Sequence, residues 1–259
     1  MLDFHVHLPL HTGPDAVKLA QAALAYIEGE GLEAVVVHPT APYHSNDLVA
    51  KIVDADPRRI IGFASVVPCP SDAAIRELSR AVEELGLQGL SLHPSQQGFC
   101  LKNPHVWQVI RFAGEELGIP VVLHGPPSKT TLRGRLLETP WLNTAEDYAL
   151  LPFIAPRATL ILSDPGSPAD LRLFASLASS HVNVYLDTSH SFLQLAGKHG
   201  EALSPLREDK LIFGTGYELG GAGALREAVE LLRGLYGESA STVFSKNARD
   251  LLGLRKPAA

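Results

Sequence analysis

The sequence predicts an α/β fold, a single (β/α)₈ barrel domain spanning residues 1–259, and three observations carry that expectation. Short apolar runs rich in Val, Ile and Leu recur along the whole chain, at 2–6, 34–37, 60–65, 89–92, 120–123, 159–162, 182–186 and 210–213. Stretches with helical periodicity separate them. The length, 259 residues, is close to the roughly 250 typical of such a barrel.

Taken in order, each run is continuous rather than alternating, as strands covered on both faces of a parallel sheet must be. Residues 72–85 show the first clear helix: Ile75, Leu78, Ala81, Val82 and Leu85 make one apolar stripe, with Ser71 as its cap and Gly86 as its stop. Residues 106–117, stopping at Gly118, and 225–236, stopping at Gly237, read the same way. The one long excursion, 125–143, follows the fifth run and carries Lys129, Arg133, Arg135 and Trp141. On a barrel it falls on the active-site side, as a lid, a subunit contact or a plain surface loop. A doubly wound open sheet is disfavoured because no glycine-rich phosphate loop follows the first run.

Composition narrows the function classes. A net charge of −6 without a Lys/Arg cluster argues against nucleic acid, and no apolar run is long enough to span a membrane. The start of the chain lacks the regions of a signal peptide, and two cysteines, Cys69 and Cys100, cannot make a disulfide framework. A cytoplasmic protein acting on a small molecule is the expectation.

The chemistry lies in the histidines, of which there are 11. His5 and His7 close the first run two residues apart, so a strand sends both to one face. His38, His93 and His124 follow the second, fourth and fifth runs, and His190 follows the seventh. These positions fall at the C-terminal mouth, where barrel enzymes build their sites. Clustered imidazoles are metal ligands by preference, and a bound divalent ion would acidify a water to a pKa of about 7.

Several segments carry a specific resemblance. They are Asp3-Phe4-His5-Val6-His7, Gly89-Leu90-Ser91-Leu92-His93-Pro94, Pro120-Val121-Val122-Leu123-His124-Gly125, Tyr185-Leu186-Asp187-Thr188-Ser189, Phe213-Gly214-Thr215-Gly216-Tyr217 and Asn247-Ala248-Arg249-Asp250-Leu251-Leu252-Gly253-Leu254. With them the chain resembles the amidohydrolase-related (amidohydrolase 2) family of metal-dependent barrel hydrolases and decarboxylases, over nearly its whole length. The resemblance implies metal ligation by His5, His7 and His124. It implies hydrolysis, or decarboxylation, of a small organic acid, amide or lactone, and it is compatible with a homodimer.

Two positions depart from the family pattern. Asp164 stands after the sixth run where the family carries a histidine, and Thr215-Gly216 stands where the family carries Ser-Asp, so that carboxylate is missing. The fourth run offers Ser91 and His93 but no lysine to bridge two ions. One divalent metal is therefore expected, Zn²⁺ first, with Mn²⁺ or Fe²⁺ as alternatives. Asp164 is its fourth ligand or the general base, with the ligand role preferred because a cation nearby depresses its basicity; a turn opening a helix is the plain alternative. Glu218 is a weaker replacement. His93, His190 and Tyr217 are expected to contact substrate, with His38 as polar lining. Two other readings stay open: a metal-independent, lactonase-like hydrolase, and a degraded member that binds a ligand or partner without turnover.

Overall fold

The computed structural model describes residues 1–10, 15–126, 143–203, 206–219 and 225–254. Parallel strands β1 (Leu2–His7), β2 (Ala34–His38), β3 (Ile60–Gly62), β4 (Leu90–Leu92), β5 (Val121–His124), β6 (Leu160–Ser163), β7 (Val184–Asp187) and β8 (Leu211–Ile212) follow the predicted runs, and a short β9 (Tyr217–Glu218) pairs with β1. They form two sheets, ordered β3-β2-β1-β9 and β4-β5-β6-β7-β8. Two seams close these into one barrel. Ala64 bridges to Leu90 between β3 and β4, and Phe4 N–H donates to the Phe213 carbonyl at 2.8 Å between β1 and the end of β8.

Helices such as Ala16–Gly29, Asn46–Val53 and Pro168–Ser180 cover the outside, each started by a side chain that accepts first-turn N–H groups: Asp15, Ser45 and Ser167. The helix expected at 225–236 is found there as Leu225–Tyr236, and Gly237 follows at φ +58°. The helix expected at 72–85 begins one residue earlier, as Ser71–Glu83, so Ser71 is not its cap. Its Oγ turns instead to Gln108 and His105 on the neighbouring helix. The 106–117 prediction divides into Pro104–Arg111 and a wider turn, Phe112–Glu116.

Two apolar layers result from the period-two alternation of each strand. Val35, Val37, Leu90, Leu92, Val121, Leu123, Leu160, Leu162 and Leu186 face the helices. Leu2, Phe4, Ala34, Val36, Ile61, Phe63, Val122, Ile161 and Ile212 fill the barrel, where Ala248 of the helix Asn247–Leu251 and the partly buried Leu251 and Leu252 join them. Phe63 meets Phe4 edge-on at 5.4 Å. Continuing the same alternation one step upward puts His38, Ser91, His124, Ser163 and Asp187 into the inner layer, above that dry floor.

Strand β1 breaks the alternation, and this break makes the site. Leu2 and Phe4 point inward, yet Val6 belongs to the outer layer. Between Asp3 and Val6 the register on β2 runs only from Val35 to Val37, so β1 holds one extra residue, a bulge. The phase shifts there, and His5 and His7 face inward after Phe4. The N–H of His5 is taken by Asp3 Oδ1 at 3.1 Å. The buried Asp3 carboxylate also accepts from Thr215 N (3.0 Å), Thr215 Oγ1 (2.6 Å) and Tyr26 Oη (2.9 Å). Burial pushes its carboxyl up, and those four donors pull it back. Asp3→Asn replaces an acceptor oxygen with donors facing donors; urea unfolding is expected to show a loss of about 2–3 kcal/mol.

Candidate active site

Four of the predicted groups meet at the mouth. His5, His7, His124 and Asp164 each place a ligating atom within 4.8 Å of all the others. His5 Nε2 and His7 Nε2 are 2.9 Å apart, and His124 Nδ1 lies 3.0 Å from Asp164 Oδ2. Register brings His7 beside His38, and His124 beside Ser163. The rings pack closely: His93 stacks on His124 at 3.4 Å and 14°, and His38 stacks on His5 at 4.5 Å.

Burial sets the charge state of this cluster. It pushes His7, His38 and His93 well below the usual histidine pKa and His124 below it, and neighbouring imidazoles reinforce the effect. Burial acts on His5 too, but there the buried Asp187 prevails: its carboxylate sits 2.5 Å from Nδ1 and holds that ring above its ordinary pKa. Burial works against the Asp164 charge, yet contact with His124 and the charges of His124, His5 and His7 outweigh it, leaving the carboxyl well below its ordinary range.

The backbone around Asp164 is specialised. At φ +51° it is the only non-glycine with positive φ among the described residues, a conformation that Asp tolerates at a cost and that often marks a functional site. Its N–H donates to Ser189 Oγ at 3.1 Å, and Ser191 Oγ donates to Oδ1 at 3.1 Å. Gly214 serves the Asp187–His5 pair. A Cβ there would lie 2.5 Å from the His5 Cβ and 3.0 and 3.1 Å from the Asp187 oxygens, so only glycine leaves room for the contact.

The remaining predicted residues are placed as follows. His93 is buried against His124. Tyr217 lies on β9 with its ring stacked on Tyr26 at 4.6 Å and 15°. His190 opens the helix His190–Ala196, and its side chain lies outside the described residues, as do Lys129, Arg133, Arg135 and Trp141. Glu218 is exposed beside His7. Cys69 and Cys100 are both free.

Sequence reasoning gave no role to Asp3, Asp187, Ser189 or Ser191. An acid ending an apolar strand was the available signal for Asp187, since a buried carboxylate requires a partner.

The family profile described as Amidohydrolase matches residues 3–254. The chain belongs to the amidohydrolase family. Among curated relatives, 2-amino-3-carboxymuconate-6-semialdehyde decarboxylase from Dictyostelium discoideum is 31% identical over 99 residues, which is 38% of this chain and 27% of that one. A 2-keto-4-carboxy-3-hexenedioate hydratase from Sphingobium sp. is 31% identical over 86 residues, 30% of this chain and 25% of that one. These alignments thus span only about a quarter of either relative. A dihydroxybenzoic acid decarboxylase from Polaromonas sp., solved with bound manganese and 2-nitroresorcinol, superimposes with TM-score 0.70 at 17% identity, covering 99% of this chain and 97% of that one, and so shares the barrel fold. Among the described residues no helix is long and apolar enough to cross a membrane.

The charge pattern dictates how the metal-free protein responds to pH. His7, His38, His93 and His124 are held neutral when folded, so on unfolding they take up protons below about pH 6.5, and stability falls as pH falls. His5 works oppositely: its raised pKa stabilises the fold at low pH, and that contribution fades as pH climbs through the folded value. His44, also held below its ordinary pKa by burial, adds to the first set, so five rings oppose one. Calorimetry of the metal-free protein should show the unfolding midpoint dropping between about pH 7 and 5, each neutral-held ring contributing up to about 1.4 kcal/mol per pH unit.

Proposed function

We propose that this chain is a single-domain, metal-dependent enzyme that acts at the barrel mouth on a small organic acid, with decarboxylation the favoured reaction. The observation that carries this reading is the convergence of His5, His7, His124 and Asp164. Three imidazoles and a carboxylate are a donor set suited to Zn²⁺, and Mn²⁺ or Fe²⁺ are the alternatives.

The local hydrogen bonding fits a cation. His5 Nδ1–H donates to Asp187, so in the neutral ring the Nε2 that faces His7 Nε2 at 2.9 Å carries a lone pair. Asp164 and Asp187 supply two negative charges around that point, matching a divalent ion. When bound, such an ion supplies a Lewis acid that polarises a carbonyl or carboxylate oxygen.

The chain's own residues do the rest. Asp187 fixes the tautomer and direction of His5, in the manner of the carboxylate–histidine pairs around metal sites. Asp164, held by Ser189 and Ser191, keeps its charge and is too weak a base to carry much proton transfer, which favours the ligand role. The neutral His7 ring offers an N–H group to an acidic substrate, and the floor of Phe4 and Phe63 keeps the inner side apolar.

The names of the relatives support decarboxylation, since one curated relative and the Polaromonas neighbour are called decarboxylases. Gly216, standing where the family pattern carries a carboxylate, favours a second reading in which the chemistry proceeds without metal.

Elemental analysis and turnover of dihydroxybenzoates and unsaturated dicarboxylic acids, read as CO₂ release, separate these readings. About one equivalent of metal is expected, and His124→Ala should lose it together with about 1,000-fold in turnover while staying folded. Metal below about 0.1 equivalent, with turnover untouched by chelators, would sink the metal reading in favour of the second. Hydrolysis of an ester, lactone or amide without CO₂ release would replace the reaction class. Removing the His5 partner in Asp187→Asn should weaken metal binding by about 10- to 100-fold, measured by competition with a chromophoric chelator.

A further inference from the structure

The hydroxyl of Ser91 sits among three imidazoles that the mechanism above uses unequally. Its Oγ lies 3.2 Å from His38 Nδ1, 3.4 Å from His93 Nε2 and 3.4 Å from His124 Nε2. Ser91 is fully buried on β4, at the inner-layer position that alternation dictates.

Proton placement here follows from one backbone atom. His38 Nε2 lies 2.8 Å from the carbonyl oxygen of Phe4, which can only accept, so Nε2 carries the hydrogen. A neutral His38 then has a lone pair at Nδ1. Ser91 has one hydrogen to give, and His38 Nδ1 is both its nearest ring atom and the one whose acceptor role is already determined. With its hydrogen spent there, Ser91 Oγ turns its lone pairs to the other two rings. Two acceptors do not face one another across a hydrogen-bond distance, so His93 Nε2 and His124 Nε2 are the N–H-bearing atoms. That leaves His124 with a lone pair at Nδ1, aimed at Asp164 Oδ2 from 3.0 Å. A lone pair and a carboxylate oxygen that close repel each other unless a cation joins them.

We propose that Ser91 is a positioning residue which, oriented by His38 and the Phe4 carbonyl, commits His124 to bind a divalent cation through Nδ1 rather than Nε2. This rests on the metal reading above and deepens it: β1 and β5 would present different ring nitrogens to one ion, Nε2 from His5 and Nδ1 from His124. The chain Phe4 carbonyl–His38–Ser91–His124 thereby links the bulged strand to the metal ligand on the far side of the mouth.

The test loads [¹⁵N]histidine-labelled protein with ¹¹³Cd²⁺ and reads which ring nitrogens couple to cadmium. Coupling to Nδ1 of His124 and to Nε2 of His5 is expected. Ser91→Ala should lose the exclusive Nδ1 coupling at His124 and bind Cd²⁺ about ten-fold more weakly, whereas Ser91→Thr, which keeps the hydroxyl, should restore both. Coupling at His124 Nε2 in the unaltered protein overturns the proposal while leaving the metal reading intact. A Ser91→Ala protein indistinguishable from its parent in coupling and affinity also overturns it. Absence of any Cd²⁺ binding to the unaltered protein overturns the metal reading and this inference with it. Should Ser91→Ala fail to fold, the coupling pattern of the unaltered protein decides alone.

Discussion

The site depends on a single carboxylate that touches none of its chemistry. Asp3 accepts four hydrogen bonds in a fully buried position and in doing so stabilises one extra residue in β1. Without that bulge the strand would keep its phase, Val6 would enter the barrel, and His5 and His7 would face the helices. Burying an anion is costly unless every lone pair is met, and here β1, the turn after β8 and the first helix each contribute a donor. The same carboxylate that re-aims the histidines therefore ties three elements together at the mouth.

Above the bulge, the arrangement is governed by how few protons the cluster can hold. The imidazoles of His5, His7, His38, His93 and His124 crowd into one cluster, with two pairs of rings stacked. Only His5 has a fully buried carboxylate, Asp187, against its ring. Positive charge is thus concentrated on one ring, and the others stay neutral and able to donate lone pairs. A cation bound through His5 Nε2 would have to displace the proton that Asp187 favours on that ring, so loading the site would release it.

Much of this was legible in the residues themselves. The strands could be read because buried parallel strands are written as unbroken apolar runs. Their C-terminal histidines could be placed at one mouth because parallel connectivity leaves no other choice. His5, His7, His124 and Asp164 do converge as read. What could not be read was the inward or outward phase within β1. Two residues apart on a strand secures a shared face but does not say which face, and the bulge that decides it arises from contacts with Thr215 and Tyr26, far away in sequence. Asp187 escaped notice for a similar reason: its partner lies 182 positions earlier, on the opposite side of a barrel closure. Ser71, a good cap by local rules, was drawn into the helix because Gln108 and His105 offered its hydroxyl better partners.

Gly214 carries a consequence for how this sequence can drift. The space it leaves empty is shared by the His5 backbone-proximal carbon and both oxygens of Asp187, so positions 5, 187 and 214 are sterically interlocked. Losing the acid at 187 would remove only the 3.0 and 3.1 Å approaches, and the 2.5 Å approach to the His5 Cβ would remain whatever stood at 187. Among descendants of this chain glycine at 214 should therefore persist wherever position 5 carries a side chain, whether or not the acid at 187 is kept.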